Sequence, residues 1–350
     1  MPDEPAPPPG HRPWSAAMTD ALYGERGFFR RHAGPAAHFR TSVHASPTFG
    51  GALTTLLLGV DAALGHPSRL DLVDVGAGRG ELLAALLASV PAELAARLRP
   101  VAVEIADRPA GLPAEIGWTD QIPARVVGLL VATEWLDNVP VEVAQVGSAG
   151  LRRVLVNDRG EEISGGRLTG PEGRWLDRWW PATGRSGRAP GPDTGRVEIG
   201  LARDEAWARA VSAVDRGLAL AVDYGHLLPG RPAAGTLTGF RDGRQTRPVP
   251  DGSCDITAQV ALDAVATAAG RPFHLLTQRR ALHALGVDGR RPALALAATD
   301  PVAYLRALSA AATATELTTP TTLGAHRWLL HPRGIPLPPR LSDVDHDLGG

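Results

Sequence analysis

Residues 70–87 read LDLVDVGAGRGELLAALL. Leu70, Leu72, Val73 and Val75 form a short apolar run, Gly76-Ala77-Gly78-Arg79-Gly80 a glycine turn, and the residues from Glu81 onward an apolar helix. A buried strand passing through glycines into a helix brings backbone N–H groups and the positive end of the helix dipole to whatever lies above the turn. Glycine suits such a turn because side chains would block close approach, and because the backbone angles are ones that residues with a Cβ avoid.

The spacing of the glycines narrows the ligand. A dinucleotide fingerprint, G-x-G-x-x-G, needs its third glycine at position 81, where Glu81 stands. The pattern present is D-x-G-x-G-x-G, from Asp74 to Gly80. It resembles motif I of the class I S-adenosylmethionine (SAM) methyltransferases, in which the turn passes under the methionine and ribose portions of the cofactor. The supporting acid should end the next strand. Val101-Ala102-Val103-Glu104 supplies it, 24 residues past Gly80, where a carboxylate can accept both ribose hydroxyls. Asp74, Gly76, Gly78, Gly80 and Glu104 are the candidate cofactor residues; the competing reading is a nucleotide-type α/β turn for another ligand.

The composition is that of an ordinary globular protein. At 350 residues there is room for two cores or one large domain with insertions, and 44% hydrophobic with 21% charged residues is unremarkable. A net charge of −1 gives no sign of a nucleic-acid partner or a membrane surface. All 36 basic residues are arginine. Cys254, the single cysteine, excludes an internal disulfide and a cysteine metal cluster. The opening MPDEPAPPPGHRP is acidic and proline-rich, unlike a targeting peptide, and no apolar run has the length of a membrane span, so a cytoplasmic location is expected.

Along the chain, residues 1–13 read as a disordered tail and 14–66 as an N-terminal helical cap, with helices at 14–23 and 47–64. The main domain is expected at 67–331, with strands alternating with helices as in a parallel doubly wound α/β sheet. Its strands are placed at 70–75, 100–104, 115–118, 126–132 and 218–222, with a later strand at 325–331. The gap between the fourth and fifth strands is too long for one crossover and reads as an insertion of about 144–200, with a polar-aromatic segment at 175–180. Asp255 is a plausible N-cap for a helix at 257–269, and 332–350 reads as a mobile tail.

Further motifs outside the glycine turn point to one family. Ala21-Leu22-Tyr23 with Gly27-Phe28-Phe29, then Phe39-Arg40-Thr41-Ser42 and Pro47-Thr48-Phe49-Gly50, stand in order before the turn. After it come Glu134-Trp135-Leu136-Asp137-Asn138-Val139-Pro140-Val141, Asp223-Tyr224-Gly225-His226, Gly235-Thr236-Leu237, Asp255-Ile256-Thr257-Ala258 and Thr277-Gln278. This series resembles the MidA-like SAM-dependent methyltransferases over roughly residues 14–331. The resemblance implies a class I methyltransferase fold, SAM as cofactor, and methylation of protein arginine on a respiratory-complex subunit, as mitochondrial members do. Several positions depart from the family pattern. Thr133 stands for the usual Asn, Asn138-Val139 for Ala-Leu, His38 for an acid, Ala234 for an Arg and Gln259 for a His. None removes a cofactor glycine or the pair Glu134 and Asp137.

Methylating a guanidinium requires carboxylates, because its lone pairs are delocalised and it stays protonated at neutral pH. A carboxylate can bind the N–H groups, localise charge away from the attacking nitrogen and accept a proton. Glu134 and Asp137 are the candidates, just past the fourth strand and sharing a face if a helical turn follows; capping that turn is the structural alternative. Asp223 and His226, past the fifth strand, are candidates for orienting the guanidinium and relaying the proton, with a purely structural histidine as the alternative. Trp118 and Asp120 stand where class I enzymes hold adenine, although Trp118 fits a core position equally well. Thr41 and Ser42 could reach the cofactor from the cap or serve a turn. No metal-ligand spacing is present among the histidines. Two other readings stay open: transfer to a small-molecule O or N nucleophile, and a SAM-binding assembly factor without turnover.

Overall fold

A computed structural model describes residues 8–30, 46–147, 150–180, 195–232, 234–270, 272–344 and 347–349. Thr41 and Ser42 lie outside the described residues, as do residues 38–40 and 181–194. The chain divides into two compact units, one of Arg40–Trp135, Arg209–Tyr224 and Gly270–Gly350, the other of Met1–Phe39, Leu136–Ala208 and Gly225–Ala269. Among the described residues no helix is long and apolar enough to cross a membrane.

The first of these units holds an eight-stranded sheet. Its strands are β1 (Leu70–Val75), β2 (Leu98–Val103), β3 (Gly117–Thr119), β4 (Val126–Thr133), β5 (Val214–Asp223), β6 (His274–Thr277), β7 (Arg327–Arg333) and β8 (Leu348–Gly349). Their order is β8-β6-β7-β5-β4-β1-β2-β3. The five strands from β5 to β3 are parallel, and β7 runs antiparallel to β5 with Asp223 opposite Arg327. This is the mixed α/β, mostly parallel sheet of the class I fold. The expected strands of the glycine-turn region lie within a few residues of those observed, because strands covered on both faces are near-continuous apolar runs.

The helix Pro47–Ala63 packs Phe49, Leu53, Leu56, Leu57 and Val60 into the core with Leu70, Leu72, Leu129, Val131, Leu220 and Trp328. Ser46 caps it by accepting from the amide of Phe49 at 3.2 Å, with proline at the first helical position, where no N–H is needed. The region read as a tail begins inside β7, continues through a helical turn, Pro339–Ser342, with Leu337 and Leu341 buried, and ends with β8 paired to β6.

The other unit is built from antiparallel ribbons. Strands Arg12–Pro13, Gly150–Val156, Glu142–Gly147, Arg196–Ile199 and Glu162–Arg167 form one sheet; Arg244–Thr246, Thr238–Arg241 and Asp255–Thr257 form another. The helix Trp14–Tyr23 packs Trp14, Met18 and Leu22 against Val141, Val143, Val154, Val156 and Ile256. The two helices read as a single cap thus belong to different units. The segment at 175–180 is helical, as the end of Gly170–Trp179, with Pro171 in its first turn. Asp255 is not a helix cap. Residues 255–257 and 260–261 are strands, and the helix is Leu262–Ala268. Asp255 accepts instead from the amide of Asn138 at 2.8 Å, a partner 117 residues away.

Candidate active site

In an open parallel sheet, ligands bind beyond the carboxyl ends of the strands where the strand order reverses. That point lies between β1 and β4, and both strands end in unusual backbone. Gly76, Gly78 and Gly80 after β1 have φ of 73°, 55° and 77°, all left-handed. Gly80 caps the helix Glu81–Ser89, so the turn faces that helix's N-terminus. The turn hangs on the end of β2, since Gly76 and Ala77 both donate to the carbonyl of Val103. A Cβ on Gly76 would stand 2.9 Å from Cδ1 of Trp135, whereas one on Gly78 would meet nothing within 4 Å. Gly78 therefore lines open space.

Glu104 closes the turn from the end of β2. Its Oε2 accepts from the amide of Gly78 at 2.9 Å, and Oε1 accepts from Ile105 at 2.7 Å and Ala106 at 3.2 Å. These bonds orient the carboxylate and leave it lone-pair capacity for a further donor. Trp118 is half-buried and donates to the carbonyl of Ala106 at 2.9 Å, pinning the loop after Glu104, while Asp120 is exposed. Asp74 is buried, with Oδ1 lacking a hydrogen-bond partner among the described residues. Burial, reinforced by the charge of Glu104, pushes its carboxyl up to about 7.

Glu134 follows β4. Its amide donates to the Val222 carbonyl of β5 at 2.8 Å, yet its φ is 47°, a left-handed conformation costing a non-glycine residue about 1–2 kcal/mol. Such strain recurs at functional sites. The carboxylate is partly exposed and its Oε1 lies 3.5 Å from Nε2 of His326. His326 also meets the ring of Tyr224 edge-on, at 5.5 Å between centroids. Topology explains the meeting: β7 is antiparallel to β5, so it starts at the edge where β4 and β5 finish. Gln278, fully buried, holds the turn before β7 by donating to the carbonyls of Leu317 and Leu323, and its own amide donates to the His326 carbonyl.

In sequence His326 is one of several scattered histidines without metal-ligand spacing. The one signal for it was topological: it immediately precedes β7, the strand that runs antiparallel to β5. Asp223, at the end of β5, is buried and accepts from the amide of Tyr224 at 2.9 Å.

Asp137 and His226 lie in the other unit, and each is engaged there. The helical turn expected after β4 is a short 3-10 turn, Leu136–Asn138, which does not include Glu134. Asp137 is buried, and its Oδ2 accepts from the Thr257 hydroxyl at 2.7 Å. Arg203, 1% exposed, donates to the carbonyls of Asp137, Val139, Ala258 and Gln259 and so clamps this turn to the strand region after Thr257. His226 is buried against Trp180, and its Nδ1 lies 2.7 Å from Nη1 of Arg231. A guanidinium can only donate, so that nitrogen accepts and the imidazole is held neutral. Arg231 in turn binds Asp263 at 2.6 Å. Among the described residues no group of three or more His, Cys, Asp or Glu could hold a metal ion.

A family model described as "Putative S-adenosyl-L-methionine-dependent methyltransferase" matches residues 53–277, which span the glycine turn, Glu104 and Glu134. The chain belongs to this family. It is accordingly a SAM-dependent methyltransferase. Among solved structures it is similar to a COG1565 superfamily member from Burkholderia thailandensis bound to S-adenosyl-homocysteine. That match has 24% identity and a TM-score of 0.76, covering 97% of this chain and 92% of the other. A second COG1565 superfamily protein from the same organism matches at 24% identity and a TM-score of 0.73, covering 93% and 88%. These likenesses show the fold. No curated protein matches the chain. The methyltransferase's turn fits its cofactor on local grounds, because the space where a side chain of residue 78 would stand is open beside a partly satisfied carboxylate.

Proposed function

We propose that this methyltransferase is MidA-like and methylates the side chain of a protein arginine, with Glu134 as the residue that engages the guanidinium. The observation that carries this reading is the partly exposed Glu134 carboxylate on strained backbone past β4, the strand adjacent to the one that ends in the glycine turn. The ordered motifs shared with MidA-like enzymes support a respiratory-complex subunit as the acceptor protein.

In this proposal Gly76, Gly78, Gly80 and Glu104 hold SAM, which supplies an electrophilic methyl on a sulfonium. Asp74 underlies the turn, Trp118 and Asp120 serve the adenine end, and Thr41 and Ser42 are further candidates for the cofactor. Glu134 accepts N–H bonds from the guanidinium, draws its positive charge toward the bound nitrogens and leaves the attacking nitrogen richer in electron density. Positioning supplies the rest, since an in-line displacement is limited chiefly by alignment. Asp137 and His226 hold turns within their own unit, and Asp223 holds the end of β5.

Labelled methyl transfer from SAM into an extract of cells lacking this protein tests the reading, with Glu134→Gln as control. Label in a protein band, dependent on Glu134 and recovered as methylarginine after hydrolysis, is the expected result. Label in a small-molecule fraction, or in a different amino acid, would overturn it.

A further inference from the structure

We propose that His326 is the proton acceptor behind Glu134: the proton released by the methyl acceptor passes to the Glu134 carboxylate and on to Nε2 of His326. This inference rests on the proposed transfer to a nitrogen nucleophile and adds the route by which its proton leaves.

A guanidinium that gains a methyl group must lose one proton to remain a monocation. The lone pair of the attacking nitrogen forms the new N–C bond, the C–S pair stays with the sulfur, and the N–H bond breaks with its pair kept by nitrogen. The released proton needs a destination. A carboxylate that has just bound a cation holds a proton poorly near neutral pH, whereas imidazole is the side chain that takes and returns one there. Glu134 Oε1 and His326 Nε2 are 3.5 Å apart, a gap that small side-chain motion closes to hydrogen-bond length. With 12% of its side chain exposed, His326 also has a way to pass the proton to water.

The groups on the elements around His326 fit this role. Glu134 faces it from the end of β4 and Tyr224 from the end of β5, with Asp223 just before Tyr224. Arg327 is tied to Asp347, as is Arg280, and Arg279 donates to the carbonyl of Thr318, so these cations are already engaged. Gln278 fixes the backbone of His326 from below and makes it a rigid partner rather than a loop side chain.

Two measurements on the full chain test the proposal. The first follows methyl incorporation from labelled SAM into the extract described above, between pH 6 and 9, for the wild type, His326→Asn and His326→Ala. The expected result is a loss of about a hundredfold in both variants with SAM binding retained, a flattened pH profile, and partial rescue of His326→Ala by added imidazole. A wild-type rate and profile in His326→Asn would overturn the proposal.

The second follows the His326 ring by NMR. Its Nε2 resonance should shift in Glu134→Gln, and an unmoved resonance would overturn the proposal whatever the acceptor. If the wild type binds SAM yet labels nothing at any pH, the proposed function fails and the NMR result alone decides whether the pair exchanges a proton.

Discussion

The amide of Gly78 donates to Oε2 of Glu104 across 2.9 Å, so the middle glycine of the turn and the acid that ends β2 form one unit. Hydrogen bonds to a charged group are worth about 1.5–3 kcal/mol, and this one sets both the shape of the turn and the aim of the carboxylate. Glu104→Ala should weaken SAM binding at least tenfold by titration calorimetry and speed hydrogen exchange at the Gly78 amide. Unchanged affinity would mean that Glu104 does not face the cofactor.

The two ends of the glycine turn should respond differently to a methyl group. Gly76→Ala combines a φ of 73° with a Cβ 2.9 Å from the Trp135 ring, so a loss of about 2–4 kcal/mol is expected in denaturant unfolding. Gly78→Ala, with nothing within 4 Å, should lose only the backbone term of about 1–2 kcal/mol while reducing SAM affinity. A more destabilising Gly78→Ala would contradict this geometry.

Asp74 makes stability depend on pH. Its carboxyl, pushed up to about 7 by burial and by Glu104, keeps its proton in the folded chain over a range where the unfolded chain has lost it. The stability associated with that proton is full below about pH 4, declines as pH rises through about 7 and is then constant. Asp74→Asn removes the penalty. Its melting temperature should exceed that of the wild type at pH 8, by up to about 4 kcal/mol in stability, and match it near pH 4. Equal offsets at both pH values would refute the assignment.

Arg203 is a structural clamp with four backbone carbonyls on one buried guanidinium. Arg203→Met removes every donor while keeping much of the volume, and should cost about 3–5 kcal/mol in chemical denaturation. Arg203→Lys should recover only part, because an ammonium cannot reproduce the planar fork. A loss below about 1 kcal/mol in the methionine variant would show that water or backbone shifts satisfy those carbonyls.

Much of the fold was legible because its signals are local. An apolar strand, glycines at alternating positions and an acid ending the next strand determine a turn by steric and backbone chemistry alone, and β1, the turn and the two N-terminal helices stand where residue patterns put them. Asp255 shows where local chemistry misleads. An aspartate before an apolar stretch reads as a cap, yet a side chain 117 positions away, Asn138, competes for its carboxylate and prevails.

The motifs around Glu134, Asp137, Asp223 and His226 were visible as conspicuous residues, but their separate settings were not. The α/β class, the position of the glycine turn and the acid that supports it could be read locally, since each follows from neighbours a few bonds away. That Asp137 is bound to Thr257, that His226 is held by Arg231, and that His326 meets Glu134 emerges from the folded chain. Those pairings depend on strand order and direction. An antiparallel β7 brings residue 326 to the edge where residue 134 follows β4, and no periodicity in the chain encodes that distance.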